Sequence, residues 1–133
     1  MFGKISLSAA AACMLIAGAY AQCGDNGVGI GREQLCNLSG KQVICGETLG
    51  FITSPGTWDQ VAVKHDLDGT NGEQCGGYEG TGDFGPAHVD CDGDTITGAT
   101  PPNAGHYSCS SANIVQGGGF WSFATIVACC QPA

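Results

Sequence analysis

The chain has 133 residues, 12 acidic against 4 basic side chains for a formal net charge of −8, 23 glycines and nine cysteines. So few cations exclude the phosphate-neutralising surface that nucleic acid demands, and they disfavour an anionic membrane as a partner. The length is that of one domain, with no proline-rich or serine-rich linker and no fixed-period repeat to divide it.

The first residues place Lys4 before an alanine-rich run, Leu7 to Tyr20, that contains Met14, Leu15 and Ile16 and ends in Ala19-Tyr20-Ala21. This is the pattern of a signal peptide over residues 1–21: its apolar core is too short to span a bilayer and it closes on a small-x-small cleavage site. The expected mature chain is a single cysteine-rich domain, residues 22–133, secreted to the extracellular space. Cys13 would leave with the leader. The remaining Cys23, Cys36, Cys45, Cys75, Cys91, Cys109, Cys129 and Cys130 form an even set. Small size, even count and an oxidising compartment together predict four disulfides, and without a C-x-x-C or H-x-x-x-H pair a zinc site is disfavoured. The sequence does not choose among the possible pairings.

From Gln22 to Gly50, glycine turns alternate with short apolar pieces. Gly27-Val28-Gly29-Ile30-Gly31 has the look of a phosphate-binding loop, but no strand precedes it and no βαβ unit follows. Gly31 to Cys36 suits a short helical turn. Asn37-Leu38-Ser39 is an N-glycosylation sequon, which makes Asn37 a candidate glycan site on a secreted chain. Gln42 to Cys45 and Leu49 to Thr53 read as two strands joined at Gly46-Glu47. Between Ser54 and Leu67, Thr57 and Gln60 have capping-box spacing and Trp58, Val61, Ala62 and His65 recur at helical intervals, while Val61 and Val63 alternate as in a strand. The strand is preferred, because its neighbours read that way. Further strands are expected at His88 to Cys91, Thr95 to Thr97, His106 to Cys109 and Asn113 to Val115, separated by glycine-rich turns.

The last apolar run, Gly119 to Cys130, is aromatic and β-branched, opened by a glycine triplet and followed by Pro132, and is expected to be the central strand of the fold. At period two, Trp121, Phe123, Thr125, Val127 and Cys129 point one way and Phe120, Ser122, Ala124, Ile126, Ala128 and Cys130 the other. Adjacent cysteines on a strand project to opposite faces, so Cys129 and Cys130 should bind two different distant partners. Many short strands between turn signals predict an all-β fold, a small disulfide-stabilised antiparallel sandwich or barrel with room for one short helix.

Chemistry-bearing residues concentrate between Asp66 and Asp94, where eight of the twelve acids fall, with His65 and His88 beside them. Clustered carboxylates with turn glycines suit a hard cation, and Asp66, Asp68, Asp90, Asp92 and Asp94 are the candidate ligands for calcium, the one cofactor considered. Neither acidic piece matches an EF-hand, and solvated acidic loops are the preferred alternative. Carboxylate or histidine pairs for a hydrolase can be drawn, Asp83 with Asp90 or His88 with Glu79, but no nucleophile motif or anion-stabilising arginine cluster supports them, and no catalytic residue is assigned. Trp58, Phe84, Tyr78 and Tyr107 would make a contact surface if exposed together.

Cysteine density, size and the alanine-rich leader ending Ala-Tyr-Ala resemble the small cysteine-rich secreted proteins of filamentous fungi. The resemblance is one of class; the hydrophobin pattern, with two internal Cys-Cys doublets, does not fit a chain whose single doublet is near its end. It implies an apoplastic or wall-associated, effector-like protein that binds a host or cell-wall protein or glycan without catalysis. A monomer with no membrane or nucleic-acid partner is expected. The alternatives are a structural cell-wall or surface protein and a small secreted hydrolase.

Overall fold

The computed structural model describes residues 23–67, 71–117 and 122–133. Eight antiparallel strands, β1 (Val28–Ser39), β2 (Gln42–Thr53), β3 (Gln60–Leu67), β4 (Gly76–Gly80), β5 (Ala87–Asp92), β6 (Thr95–Thr100), β7 (Tyr107–Gly117) and β8 (Ser122–Pro132), follow one another in a closed meander barrel. Closure is made by β8, which pairs with β7 on one side and with β1 on the other, from Val28 opposite Cys130 to Leu35 opposite Ser122. A barrel leaves no open sheet edge, and eight strands enclose a space that side chains can fill.

That space is the main core. Val28 and Ile30 of β1, Ile52 of β2, Ala62 of β3, Tyr78 of β4, Val89 of β5, Ala99 of β6 and Cys130 of β8 are all buried in it. A second apolar layer lies on the other face of the wall, because neighbours in sequence divide between the two: Phe51 and Cys129 belong to it, Ile52 and Cys130 to the interior. Its centre is a row across the sheet, Val63, Phe51, Gly31, Ile126 and Ile114, each opposite the next in register. The row works because Gly31 has no side chain. A Cβ there would stand 2.6 Å from the Phe51 ring and 2.3 Å from the Thr125 carbonyl oxygen. Cys23 and Trp58 pack on this layer and leave Phe51 and Ile126 fully buried, a burial that contributes about 1.5 to 3 kcal/mol per side chain. The Cys23–Cys129 disulfide and a hydrogen bond from the Gly56 amide to the Gly27 carbonyl (2.9 Å) hold the covering segments down.

A 3-10 turn, Asn71–Gln74, carries a buried glutamine into the barrel. Gln74 Nε2 donates to the Gly31 carbonyl at 3.1 Å, and the Tyr78 hydroxyl donates back to Gln74. The Gln74 amide and the Tyr78 hydroxyl thereby satisfy one another in the barrel. Burial holds the Tyr78 phenol well above its ordinary pKa.

The four disulfides are Cys23–Cys129, Cys36–Cys45, Cys75–Cys91 and Cys109–Cys130. Four such bonds in a small domain are typical of extracellular proteins. Cys129 and Cys130 do reach two different partners on opposite faces of β8. The strict period-two reading of that strand fails at Val127, however. Ile30 lies opposite Ala128 and Gly31 opposite Ile126, so Val127 is an extra residue, a β-bulge. Before it Ala124 and Ile126 face the outer layer; after it Ala128 and Cys130 face the interior.

Other expectations are corrected. Gly31 to Cys36 is strand, not a helical turn; Gly46-Glu47 is no turn but the middle of a continuous β2; and the strands expected at His106 to Cys109 and Asn113 to Val115 are one β7, which starts at Tyr107 and has an irregularity between Ser111 and Ile114. Thr57 is a cap without a helix: its hydroxyl accepts from the Asp59 amide at 3.0 Å within the loop before β3.

Candidate functional site

The outer face of β3 to β6 gathers the chain's three histidines. His65 on β3, His88 on β5 and His106 just before β7 are each about half exposed, at 53%, 57% and 54%. Two mechanisms bring them there. On a strand, residues i and i+2 share a face, which sets His88 beside Asp90 with Nε2 and Oδ1 3.3 Å apart. His106 reaches the same carboxylate from beyond β6, Nε2 to Oδ2 at 3.2 Å, by lying over Gly98. A Cβ on Gly98 would stand 2.6 Å from that ring nitrogen. Asp90 is thus held between two imidazoles, one on each oxygen, and accepts from any ring that carries its proton on Nε2.

His65 has a separate partner. Its Nδ1 lies 2.7 Å from Glu47 Oε1 on the neighbouring strand. The hydrogen bond from His65 holds the Glu47 pKa below the ordinary carboxylate value, and the same contact raises that of His65. Asp66, with φ of 59°, shares a side-chain hydrogen bond with Glu47, which raises the Asp66 pKa.

Between these groups runs a groove. Strands β3 and β4 pair only at Ala62 with Gly80 and Val63 with Glu79, and beyond that they diverge. The gap is a cavity of about 340 Å³ lined by Val63, Lys64, His65, Gly77, Tyr78, Glu79, Pro86 and Ala87. A Cβ on Gly77 would meet nothing within 4 Å, so this residue keeps the floor low. A neighbouring depression of about 250 Å³ shares Pro86 and Ala87 and extends the groove to His88 and Thr100. Lys64 contributes its stem, while its ammonium donates to the Cys75 carbonyl at 2.6 Å. The result is an open cleft rimmed by imidazoles and carboxylates, able to donate and accept hydrogen bonds along its length.

Of the five aspartates read as calcium ligands, the four among the described residues are not brought together in this way. Asp66 associates with Glu47, Asp90 with the two histidines, and Asp92 and Asp94 sit at the β5–β6 hairpin, with Asp92 opposite Thr95; Asp68 lies outside the described residues. Among the described residues no group of three or more His, Cys, Asp or Glu side chains is placed to hold a metal ion. The four aromatic residues do not form one surface either: Tyr78 is buried, Trp58 and Tyr107 pack against the two apolar layers, and Phe84 is exposed. Asn37 lies in β1 opposite Ile44. The role of His106 escaped sequence reading because its link to Asp90 crosses a strand. The signal was Gly98, a glycine in the middle of a strand, which marks a close approach.

No family model matches the chain, and neither a curated protein nor a solved structure matches it.

Proposed function

We propose that the protein is a secreted, cysteine-rich, non-enzymatic binding protein of the effector-like kind, acting outside the cell, and that the groove over Gly77 takes a hydroxyl-rich ligand, a glycan of a host surface or cell wall. The groove between β3 and β5 carries this reading. Its rim of His65, Glu79 and His88 supplies hydrogen-bond donors and acceptors, and its apolar floor of Val63, Pro86 and Ala87 suits the less polar face of a pyranose ring. The interior of the barrel is filled by side chains, so a ligand has only the outside to use.

The test is a glycan array probed with the wild-type protein and with Gly77→Phe, whose ring would fill the groove from a position with free space around it. Binding of a defined glycan class by the wild type, lost in the variant, is the expected result. A silent array, or a glycan bound equally by both proteins, would contradict the reading.

A further inference from the structure

The β1–β2 hairpin continues past the barrel. The described pairing of β8 with β1 ends at Leu35 and that of β3 with β2 at Thr48, so from Cys36 to Glu47 the two strands have only each other beside them among the described residues. Ser39 and Gln42 flank a two-residue turn with Gly40 at φ 64°, the glycine-first pattern of a type II′ hairpin, and Cys36–Cys45 ties the strands together. This is a rigid, two-stranded arm. It exposes Leu38 (58%), Val43 (59%) and Ile44 (52%), and from Gln34 to Gly46 it contains no acid, in a chain of net charge −8. A strand edge that, among the described residues, carries no partner and has exposed apolar side chains beside it is a template for another strand, and natural proteins normally blunt it.

We propose that the occupant of this edge is a second copy of the chain, joined by antiparallel pairing of β2 with β2 about a two-fold axis at Ile44. The sequence is self-complementary in that register. With Ile44 opposite Ile44 of the second copy, Gln42 meets Gly46 and Val43 meets Cys45, and Lys41, the turn residue just before β2, comes beside Glu47 of the other copy at each end of the pairing. Shifting the axis to Val43 or Cys45 would bring Lys41 beside Cys45 or Leu49 and leave it without an acidic counterpart, whereas beside Glu47 it joins the acid that His65 already contacts. A two-fold interface requires this reciprocity, in which one residue meets a second and the second meets the first. Main-chain hydrogen bonds supply the pairing and the two Lys41–Glu47 contacts fix its register. The arm is also where the repulsion between two acidic barrels is weakest, since it holds them apart at its tip. The sequence alone suggested a monomer; the exposed edge is what changes that expectation.

Sedimentation velocity of the full secreted protein at about 0.1 mM, a concentration that detects even a weak dimer, tests this. The wild type should sediment as a dimer. Lys41→Glu alone sets four acids against one another and Glu47→Lys alone sets four bases, so each should weaken self-association by roughly tenfold or more. An equimolar mixture of the two variants restores both opposite-charge contacts and should recover the dimer, which also shows that both variants are folded. A monomeric wild type, a single variant that dimerises as well as wild type, or a mixture that stays monomeric would each overturn the proposal.

Discussion

Gly31 is the position at which one added methyl would disturb the most. Its missing side chain admits the Phe51 ring on one side and the Thr125 carbonyl on the other, and a backbone oxygen cannot move aside as a flexible side chain can. We therefore expect Gly31→Ala to destabilise by about 1 to 3 kcal/mol, the usual cost of overpacking, and Gly77→Ala, with open space around it, to change stability by under about 0.5 kcal/mol. Urea midpoints of the two variants check the contrast. The Glu47–His65 pair makes a prediction about pH. His65, whose pKa is raised above 6.5, contributes stability that is full below that value and lost as pH rises through the raised pKa; Glu47, lowered from 4.5, contributes stability that is full above 4.5 and lost as pH falls through the lowered one. The pair is thus most effective between pH 4.5 and 6.5. Asp66 opposes it: its pKa is raised above 3.8, so its ionisation destabilises the fold as pH climbs through that range. Glu47→Gln should lower the His65 midpoint in an NMR ring titration; an unmoved midpoint would mean that the contact does not form in solution.

At the scale of elements, the strands were legible where composition was strong and the joints between them were not. The β8 run announced itself by its aromatic and β-branched residues. Its face assignment went wrong at Val127 because a bulge inserts one residue without any mark in a uniformly apolar stretch. Gly46-Glu47 read as a turn for the opposite reason: it has turn composition, but the hairpin had already turned at Gly40-Lys41, and the Cys36–Cys45 bond holds the strand straight through it. The site was half legible. His65 and His88 stood out beside the acids, whereas the bridging of Asp90 by His106 depends on tertiary placement. The disulfides differ in what they tie. Cys36–Cys45 closes 9 residues within the arm, while Cys23–Cys129 spans 106 and joins the covering segment to the closing strand. Loop-closure entropy assigns the longer one about 4.7 kcal/mol and the shorter under about 3. Replacing Cys23 and Cys129 by serine should therefore lower the urea midpoint more than replacing Cys36 and Cys45, and the reverse order would show that the arm, not the seam, carries the stability.

For the molecule as a whole, β8 is the strand on which closure depends. It carries the pairing with both β1 and β7, divides the two apolar layers between its faces, and sends adjacent cysteines to opposite sides of the wall, where one pins the covering segment and the other locks β7. The glycine-rich chain loses more backbone entropy than most on folding, and its core is small, so these covalent ties supply what burial alone does not. The proposed binding face fits the same plan: the interior is full and one outer region is covered by Cys23 and Trp58, while the wall of β3 to β6 with its histidines stays exposed. Disulfide mapping of the native protein, with fragmentation that cleaves the backbone between Cys129 and Cys130, tests this organisation most directly. The barrel predicts Cys23 linked to Cys129 and Cys109 linked to Cys130, with no free thiol among the eight; a bond between Cys129 and Cys130, or an exchange of their partners, would contradict it.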